Sequence, residues 1–110
     1  MLSELYEIME SAESGDEKAV RIRLNRNHPI YESHFQGRPI TPGAIILQMC
    51  IEMLPEGVVI DEIKNVKFLK PHEPEMSQEI EIKCLRKDSC FDFLVSDPSN
   101  TYARLRLLTK

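Results

Sequence analysis

The sequence predicts an α+β fold in which an antiparallel sheet wraps around one long buried helix. Segments that alternate apolar and polar residues lie on both sides of a single apolar stretch, residues 42–54. That stretch is apolar on every side, so a helix formed from it must be buried. Strands gathered around one such helix are typical of the α+β class. The 110 residues favour one domain, residues 1–110, and a chain of this size gains from association because much of its surface stays in water.

A short helix, a loop and a strand are predicted ahead of the central helix. Apolar residues recur at helical spacing in residues 2–11, which predicts the short helix. These residues are Leu2, Leu5, Ile8 and Met9. Residues 11–18 are polar, which predicts a loop. The alternation of Val20, Ile22 and Leu24 with polar residues then predicts a half-buried strand.

A long ordered loop is predicted over residues 27–43, because this segment is rich in Pro and Gly but also has apolar anchors. Long ordered loops are often functional. Thr41 is expected to cap the central helix and Pro42 to be its first residue, where a missing N–H does no harm. We expect the helix over residues 42–54, ended by Pro55.

Four further strands are predicted after the central helix, each from apolar residues that alternate with polar ones. Their inward residues are Ile63, Val66 and Phe68 in the first, Ile80, Ile82 and Cys84 in the second, Phe91, Phe93 and Val95 in the third, and Ala103, Leu105 and Leu107 in the fourth. A turn near Asp88 separates the second strand from the third, and a turn that begins at Asp97 separates the third from the fourth.

Composition and charge argue against several classes of function. The net charge of -4 argues against nucleic acid as a partner, because phosphate binding needs concentrated Lys and Arg. The sequence has no metal-ligand cluster and no Gly-rich phosphate loop, so we expect no metal and no cofactor. The three cysteines fit no zinc pattern and nothing resembles a secretory signal, which predicts the reducing cytoplasm. No apolar run approaches the length that spans a bilayer.

Basic residues concentrate in two stretches of this acidic chain. They are Arg21, Arg23, Arg26 and Arg38 in the first stretch and Lys64, Lys67 and Lys70 in the second. Two interpretations stay open for them. They are either ordinary solvated strand faces or a local basic patch for an acidic partner.

Gln48 and Glu52 are polar residues within the apolar helix, and their spacing of four places them on one face. A carboxylate there is unfavourable unless it is paired, hydrogen-bonded or protonated. One interpretation is that Glu52 reaches solvent or a cation at the helix end. The other is that Glu52 faces a cavity and has a raised pKa that suits proton donation.

His34 and the start of the helix supply a candidate base and a candidate oxyanion site. A loop histidine beside an apolar cavity can act as a general base, although a plain hydrogen-bonded loop residue is the alternative. At the helix start, Gly43 and Ala44 offer backbone N–H groups and the positive end of the helix dipole. These groups suit a thioester oxygen that gains negative charge. We expect His28 and His72 to be structural or surface residues.

The residues from His34 to Gly43 read His-Phe-Gln-Gly-Arg-Pro-Ile-Thr-Pro-Gly. This segment resembles the His-Phe-Pro-Gly-x-Pro-x-x-Pro-Gly signature of the 3-hydroxyacyl-[acyl-carrier-protein] dehydratases. Residues 66–71 are similar to the strand that follows the helix in that family, and the resemblance extends from about Val20 onward. It implies a hotdog fold that dimerises edge to edge, with the active site at the dimer interface.

The resemblance also implies roles for individual residues. His34 would remove the proton from carbon 2, and the Gly43 amide would hold the thioester oxygen. Gln48 stands where the family has its acidic residue, and Glu52 lies one helical turn further on, about 5.4 Å along the axis. A glutamine cannot donate a proton at any useful pH. Smaller departures from the family pattern are Ser33, Gln36 and the segment 72–75, which lacks a Pro-Gly turn.

Three functional interpretations stay open on the sequence. The first is an active dehydratase in which His34 is the base. Either Glu52, or a water together with Gln48, would protonate the departing hydroxyl. The second is a hotdog thioesterase whose polar helix residues position a water. The third is an acyl-binding or partner subunit that donates His34 to a heterodimer, whose other member supplies the acid.

For all three interpretations, the expected partner is an acyl carrier protein or an acyl thioester, and the expected pathway is fatty acid or related acyl-chain biosynthesis. The expected substrate-binding residues are Phe35, Gly37, Pro42, Gly43, Ala44, Ile45 and Met49, with Ile46 beside the cavity for the acyl tail. Arg38, Lys67 and Lys70 are expected to dock the acidic carrier protein. We expect a homodimer or an assembly of dimers.

Overall fold

The computed structural model describes residues 4–32 and 39–110. Within these residues the strands are β1 (Tyr6–Ser14), β2 (Glu17–Leu24), β3 (Ile60–Phe68), β4 (Glu79–Lys87), β5 (Cys90–Ser96) and β6 (Thr101–Thr109), with one helix, α1 (Gly43–Glu52). A 3₁₀ turn, Pro29–Tyr31, precedes the helix. All strand pairs are antiparallel, in the order β1-β2-β4-β5-β6-β3. The predicted α+β layout is therefore confirmed, with β1 and β3 at the two edges of the sheet.

The core lies between α1 and the inner faces of the four central strands. Alternate residues of β2, β4, β5 and β6 are buried, as the sequence pattern predicts. The helix contributes Ile46, Met49 and Cys50 to this core. The apolar groups exclude water from one face of the sheet, and this burial is the main favourable contribution to folding.

The predicted leading helix and the loop after it are wrong, because residues 6–14 form the edge strand β1. A hairpin joins β1 to β2, with Ser14 opposite Glu17 and Gly15 at a φ of 60°. The positive φ suits glycine at the first position of a two-residue hairpin turn. Ile8 and Met9 are exposed and only Tyr6 of β1 is half-buried, so the apolar residues at helical spacing do not pack into the core. Backbone pairing with the open edge of β2 decides the structure instead.

The helix start also differs from the prediction. Pro42, rather than Thr41, is the N-cap residue, and it provides no side-chain cap. The Thr41 hydroxyl is not available to the helix because it is bonded within the protein core. The helix ends at Glu52, and hydrogen bonds from Met53 and Leu54 to the third residue back complete a tight last turn.

Neither α1 nor β3 is fully covered in a single chain. On the helix Ala44 is exposed, and Ile45, Leu47 and Ile51 are half-buried, so the expectation of burial on every side is not met. The predicted strand with Ile63, Val66 and Phe68 does form, but all three side chains are exposed. In the described residues, every helix is too short or too polar to cross a membrane.

Candidate functional site

The helix start forms one wall of a groove of about 290 Å³. The groove is lined by Ile40, Thr41, Pro42, Gly43 and Ile46 from the helix side and by residues 68–72 from the end of β3. The amides of Ile45 and Ile46 bond to the Pro42 carbonyl, so the first free helical donors are those of Gly43 and Ala44. Of the predicted substrate-binding residues, the structure thus brings Pro42 and Gly43 to this groove.

Phe68 explains why residue 43 is glycine. A Cβ atom at position 43 would meet the Cζ atom of the Phe68 ring at 2.8 Å. Real Cβ contacts are almost never this short, so a larger residue would push the ring away from the helix start. Gly43 therefore serves the packing of β3 against α1, a reason that the sequence pattern does not reveal.

The remaining predicted apolar contacts are spread around the helix. Met49 is fully buried in the core, whereas Ile45 is half-buried and packs against the core. Ala44 is exposed. Ile46 is buried and also lines the groove at the helix start.

Glu52 is half-buried and joins α1 to β1. The Tyr6 hydroxyl donates a hydrogen bond of 2.7 Å to Glu52 Oε1, and Gln48 Nε2 donates a longer one of 3.4 Å to Glu52 Oε2. Burial, together with the hydrogen bond to Glu52 and its negative charge, raises the pKa of Tyr6 to about 12. The structure therefore brings the two predicted polar helix residues together and adds Tyr6, which the sequence pattern did not single out.

The predicted residues His34, Phe35, Gly37 and Arg38 lie outside the described residues. Their flanks are described and are linked by side chains. The hydroxyl groups of Tyr31 and Thr41 are 2.9 Å apart, and both residues are buried.

His72 is buried and bonded on both ring nitrogens. Its Nδ1 atom lies 2.8 Å from Thr41 Oγ1, and its Nε2 atom lies 2.6 Å from the Ser77 carbonyl oxygen. The edge of its ring meets Tyr102, with ring centres 5.0 Å apart. Burial lowers the pKa of His72, although the Ser77 carbonyl and the charges of Asp97 and Glu73 act in the opposite direction. His72 therefore has a structural place in the core and is not a surface residue.

Asp97 continues the network on the other side of Ser77. Its carboxylate accepts hydrogen bonds from the Ser77 hydroxyl and from Tyr102, and from the backbone amides of Ser99 and Asn100. Burial raises the pKa of Asp97, but these hydrogen bonds outweigh it and hold the pKa at about 2. The predicted turn at Asp97 is thus fixed by its own first residue.

The predicted docking lysines do not share one groove. Lys67 lines a groove of about 840 Å³ on the outer face of the sheet, together with the basic residues Lys83, Arg104 and Arg106. Lys70 lines the groove at the helix start, and its ammonium group donates to Asn100 Oδ1 at 2.8 Å. Both lysines are exposed, as docking requires.

The three cysteines are buried and free. Burial raises the pKa of Cys50 to about 12 and that of Cys84 to about 11, so neither thiol is a ready nucleophile. The described residues contain no group of side chains that could hold a metal ion.

Residues 10–106 match the ApeI-like family, described as ApeI dehydratase. The chain is 33% identical over 88 residues to the 3-hydroxyacyl-[acyl-carrier-protein] dehydratase FabZ of Bartonella bacilliformis, a match that covers 68% of this chain and 57% of that protein. The FabZ protein of Bartonella henselae is 30% identical over the same length and with the same coverage. The matched part of the chain thus spans little more than half the length of these curated relatives.

Two solved structures have a similar fold. One is the dehydratase heterocomplex ApeI:P from Xenorhabdus doucetiae, with a TM-score of 0.80, 17% identity, and coverage of 93% of this chain and 95% of that chain. The other is an uncharacterised protein from Erwinia carotovora subsp. atroseptica, with a TM-score of 0.62, 18% identity, and coverage of 94% and 91%. The predicted hotdog fold is confirmed.

Proposed function

This chain belongs to the ApeI-like family of dehydratases, and from that premise we propose that it works on 3-hydroxyacyl thioesters held by an acyl carrier protein. The groove at the start of α1 supports the proposal most directly, because it is lined by Gly43, whose amide is a free helical donor for a thioester oxygen. Fatty acid or related acyl-chain biosynthesis would supply such substrates. The FabZ relatives are named for this chemistry.

The proposed reaction removes water from the acyl chain. His34 takes the proton from carbon 2, and the helix amides stabilise the negative charge that develops on the thioester oxygen. The bond between carbon 3 and its hydroxyl oxygen then breaks, and the hydroxyl takes up a proton and leaves as water. This second proton needs a donor, and Gln48 cannot supply it.

Glu52 is the nearest carboxyl on the same face of the helix, but its hydrogen bonds favour another role. Both of its oxygens accept hydrogen bonds, from Tyr6 and from Gln48. A carboxyl group engaged by two side chains of its own chain is less available to the hydroxyl of a substrate. This arrangement favours the second candidate function, a partner subunit that contributes His34 and the helix amides while a homologous chain contributes the acid.

Dimerisation through the β3 edge would suit both candidate functions. The exposed apolar residues of β3 and the half-buried side of α1 are the surfaces that a second hotdog chain would cover. The neighbour ApeI:P is a heterocomplex, which makes a different chain a specific alternative to a second copy as the partner.

Turnover of a short 3-hydroxyacyl thioester and of its enoyl counterpart tests the proposal. We expect His34→Ala to abolish activity. If the pure protein turns over and Glu52→Gln stops it, Glu52 is the acid. If the pure protein is inert and Gln48→Glu or an added acid-bearing homologue restores turnover, the chain is a partner subunit. Glu56→Gln is the matched control, because Glu56 is exposed and lies four residues after Glu52, beyond the end of α1. Inactivity in every combination would overturn the proposal.

Carrier docking has its own test. We expect Lys67→Glu and Lys70→Glu to slow association with an acidic acyl carrier protein and to flatten its dependence on salt. Lys110→Glu is the control, since Lys110 lies in a groove beyond the other end of α1. Unchanged association rates for both variants would remove these lysines from the docking surface.

A further inference from the structure

Thr41 and His72 are the buried polar residues among those that the structure describes, with exposed fractions of 3% and 1%. Two hydrogen bonds join them. The Thr41 amide donates to the His72 carbonyl at 2.8 Å, and the Thr41 hydroxyl lies 2.8 Å from His72 Nδ1. The residue that leads into Pro42 and α1 is therefore held at two points by the segment between β3 and β4.

The Ser77 carbonyl and the protonation state of His72 together set the direction of these bonds. The Ser77 carbonyl can only accept, so His72 Nε2 carries the proton that it receives. In a neutral His72, the form that burial favours by lowering the pKa, Nδ1 has a free lone pair and accepts the Thr41 hydroxyl proton. The Thr41 oxygen in turn accepts from the Tyr31 hydroxyl at 2.9 Å. With His72 neutral and its proton on Nε2, the hydroxyl donations run from Tyr31 to Thr41 and from Thr41 to His72.

The start of α1 depends on this arrangement because it has no other polar cap. Pro42 occupies the N-cap position without a side-chain bond to the helix, and the Phe68 ring closes the side of Gly43. Thr41 is the last residue before the helix with a polar anchor. A shift of Thr41 would move Pro42 and the amides of Gly43 and Ala44 with it.

We propose that Thr41 and His72 are positioning residues that aim the first amides of α1 at the bound thioester. The proposal rests on the function proposed above. Both residues border the groove but are almost fully buried, so in this proposal they act through the backbone of Pro42 and Gly43 and not by direct contact with the substrate. Through Tyr31 the same bonds also fix the two ends of the segment that contains His34 in the sequence.

Thr41→Val is the direct test, because valine keeps the branched shape and removes the hydroxyl. We expect kcat to fall by about 10- to 100-fold, since a misplacement of about 1 Å has an effect of this order. KM should change by less than about twofold, because the amides act mainly on charge that develops in the transition state. Thr41→Ser restores the hydroxyl and should recover most of the activity.

Hydrogen exchange gives a readout that does not depend on turnover. In Thr41→Val, the peptide that covers the start of α1 should exchange faster, while peptides from β5 keep the wild-type rate. Thr109→Val is the matched control, because the Thr109 hydroxyl donates to an exposed loop carbonyl, that of Ser89. It should leave both exchange and kcat unchanged.

The outcomes separate this proposal from the proposed function. Unchanged exchange at the helix start in Thr41→Val overturns the positioning role, whatever the activity. Lost activity that Thr41→Ser does not recover overturns it as well. Wild-type protein without turnover, alone or with its partner, counts against the proposed function only, and the exchange experiment still tests the positioning role of Thr41 and His72. If Thr41→Val does not fold, Tyr31→Phe removes the outer hydroxyl of the same chain and is judged by the same two readouts.

Discussion

At the scale of single residues, Tyr6 and Glu52 show how a carboxylate is accommodated on an apolar helix. The Tyr6 hydroxyl comes from β1, 46 positions away in sequence, and supplies the donor that Glu52 needs. A sequence pattern within the helix shows the carboxylate but not this partner. The open question on the sequence, whether Glu52 is solvated or a proton donor, depends on a contact that only the fold creates.

We expect Tyr6→Phe to lower the free energy of unfolding by about 1 kcal/mol, because Glu52 loses a hydrogen-bond donor in a half-buried place. Urea unfolding of Tyr6→Phe, Glu52→Gln and the double variant measures the interaction. The double variant should lose less stability than the sum of the two single losses. Additive losses would mean that the two side chains do not interact in solution.

His72 provides a second prediction at this scale. Its pKa is lowered in the folded state, so below the unfolded value of about 6.5 the unfolded chain binds a proton that the folded chain does not. The stability that His72 contributes is therefore complete above this pH and is lost as the pH falls from 6.5 toward the folded pKa. Between pH 7 and 5, wild-type protein should lose more stability than His72→Asn. Asp97, with a pKa of about 2, acts at lower pH and does not mask the difference. Parallel pH profiles for the two proteins would contradict the prediction.

At the scale of elements, the strands with one buried face were predicted, and so was β3, whose apolar residues alternate with polar ones although they are exposed in the single chain. Strands β2, β4, β5 and β6 each bury alternate residues, so apolar and polar residues alternate along their sequences and predict the strands. Strand β1 is exposed almost throughout, and its sequence therefore has no such signal. The helix was predicted within about two residues, but its cap was not, because the partner of Thr41 lies 31 positions away. Local patterns predict elements here, and long-range bonds decide how they end.

The β1–β2 hairpin gives a prediction for one element. Gly15 has a φ of 60° and nothing within 4 Å of a Cβ atom built on it, so a substitution changes the backbone energy without a clash. We expect Gly15→Ala to destabilise the protein by about 1 kcal/mol, because an L-residue is strained in this region. Gly15→Asn should cost less, since asparagine tolerates positive φ. Equal thermal stability of Gly15→Ala and wild-type protein would argue against the turn.

At the scale of the whole molecule, the single chain leaves two apolar surfaces exposed, the ring of Phe68 and the edge of β3. Phe68 packs on Gly43, yet 52% of its surface is exposed. Ile63 and Val66, on the same edge strand β3, are exposed as well. Strand β3 has acidic residues in its first half and lysines in its second half. Two copies that pair antiparallel along this edge would bring opposite charges together, which favours a dimer over an isolated chain.

Ile63→Asp tests this interface against a matched control. We expect wild-type protein to sediment as a dimer and the variant as a monomer at the same concentration, because a buried, unpaired carboxylate opposes association. Leu85→Asp should stay dimeric, since Leu85 is equally exposed, 42% against 41% for Ile63, but lies on the interior strand β4. Loss of the dimer should also speed hydrogen exchange in α1, whose half-buried residues would lose their cover. A dimeric Ile63→Asp, or a monomeric Leu85→Asp, would mean that the interface does not lie at the β3 edge. The groove at the helix start would then not be next to the interface between chains.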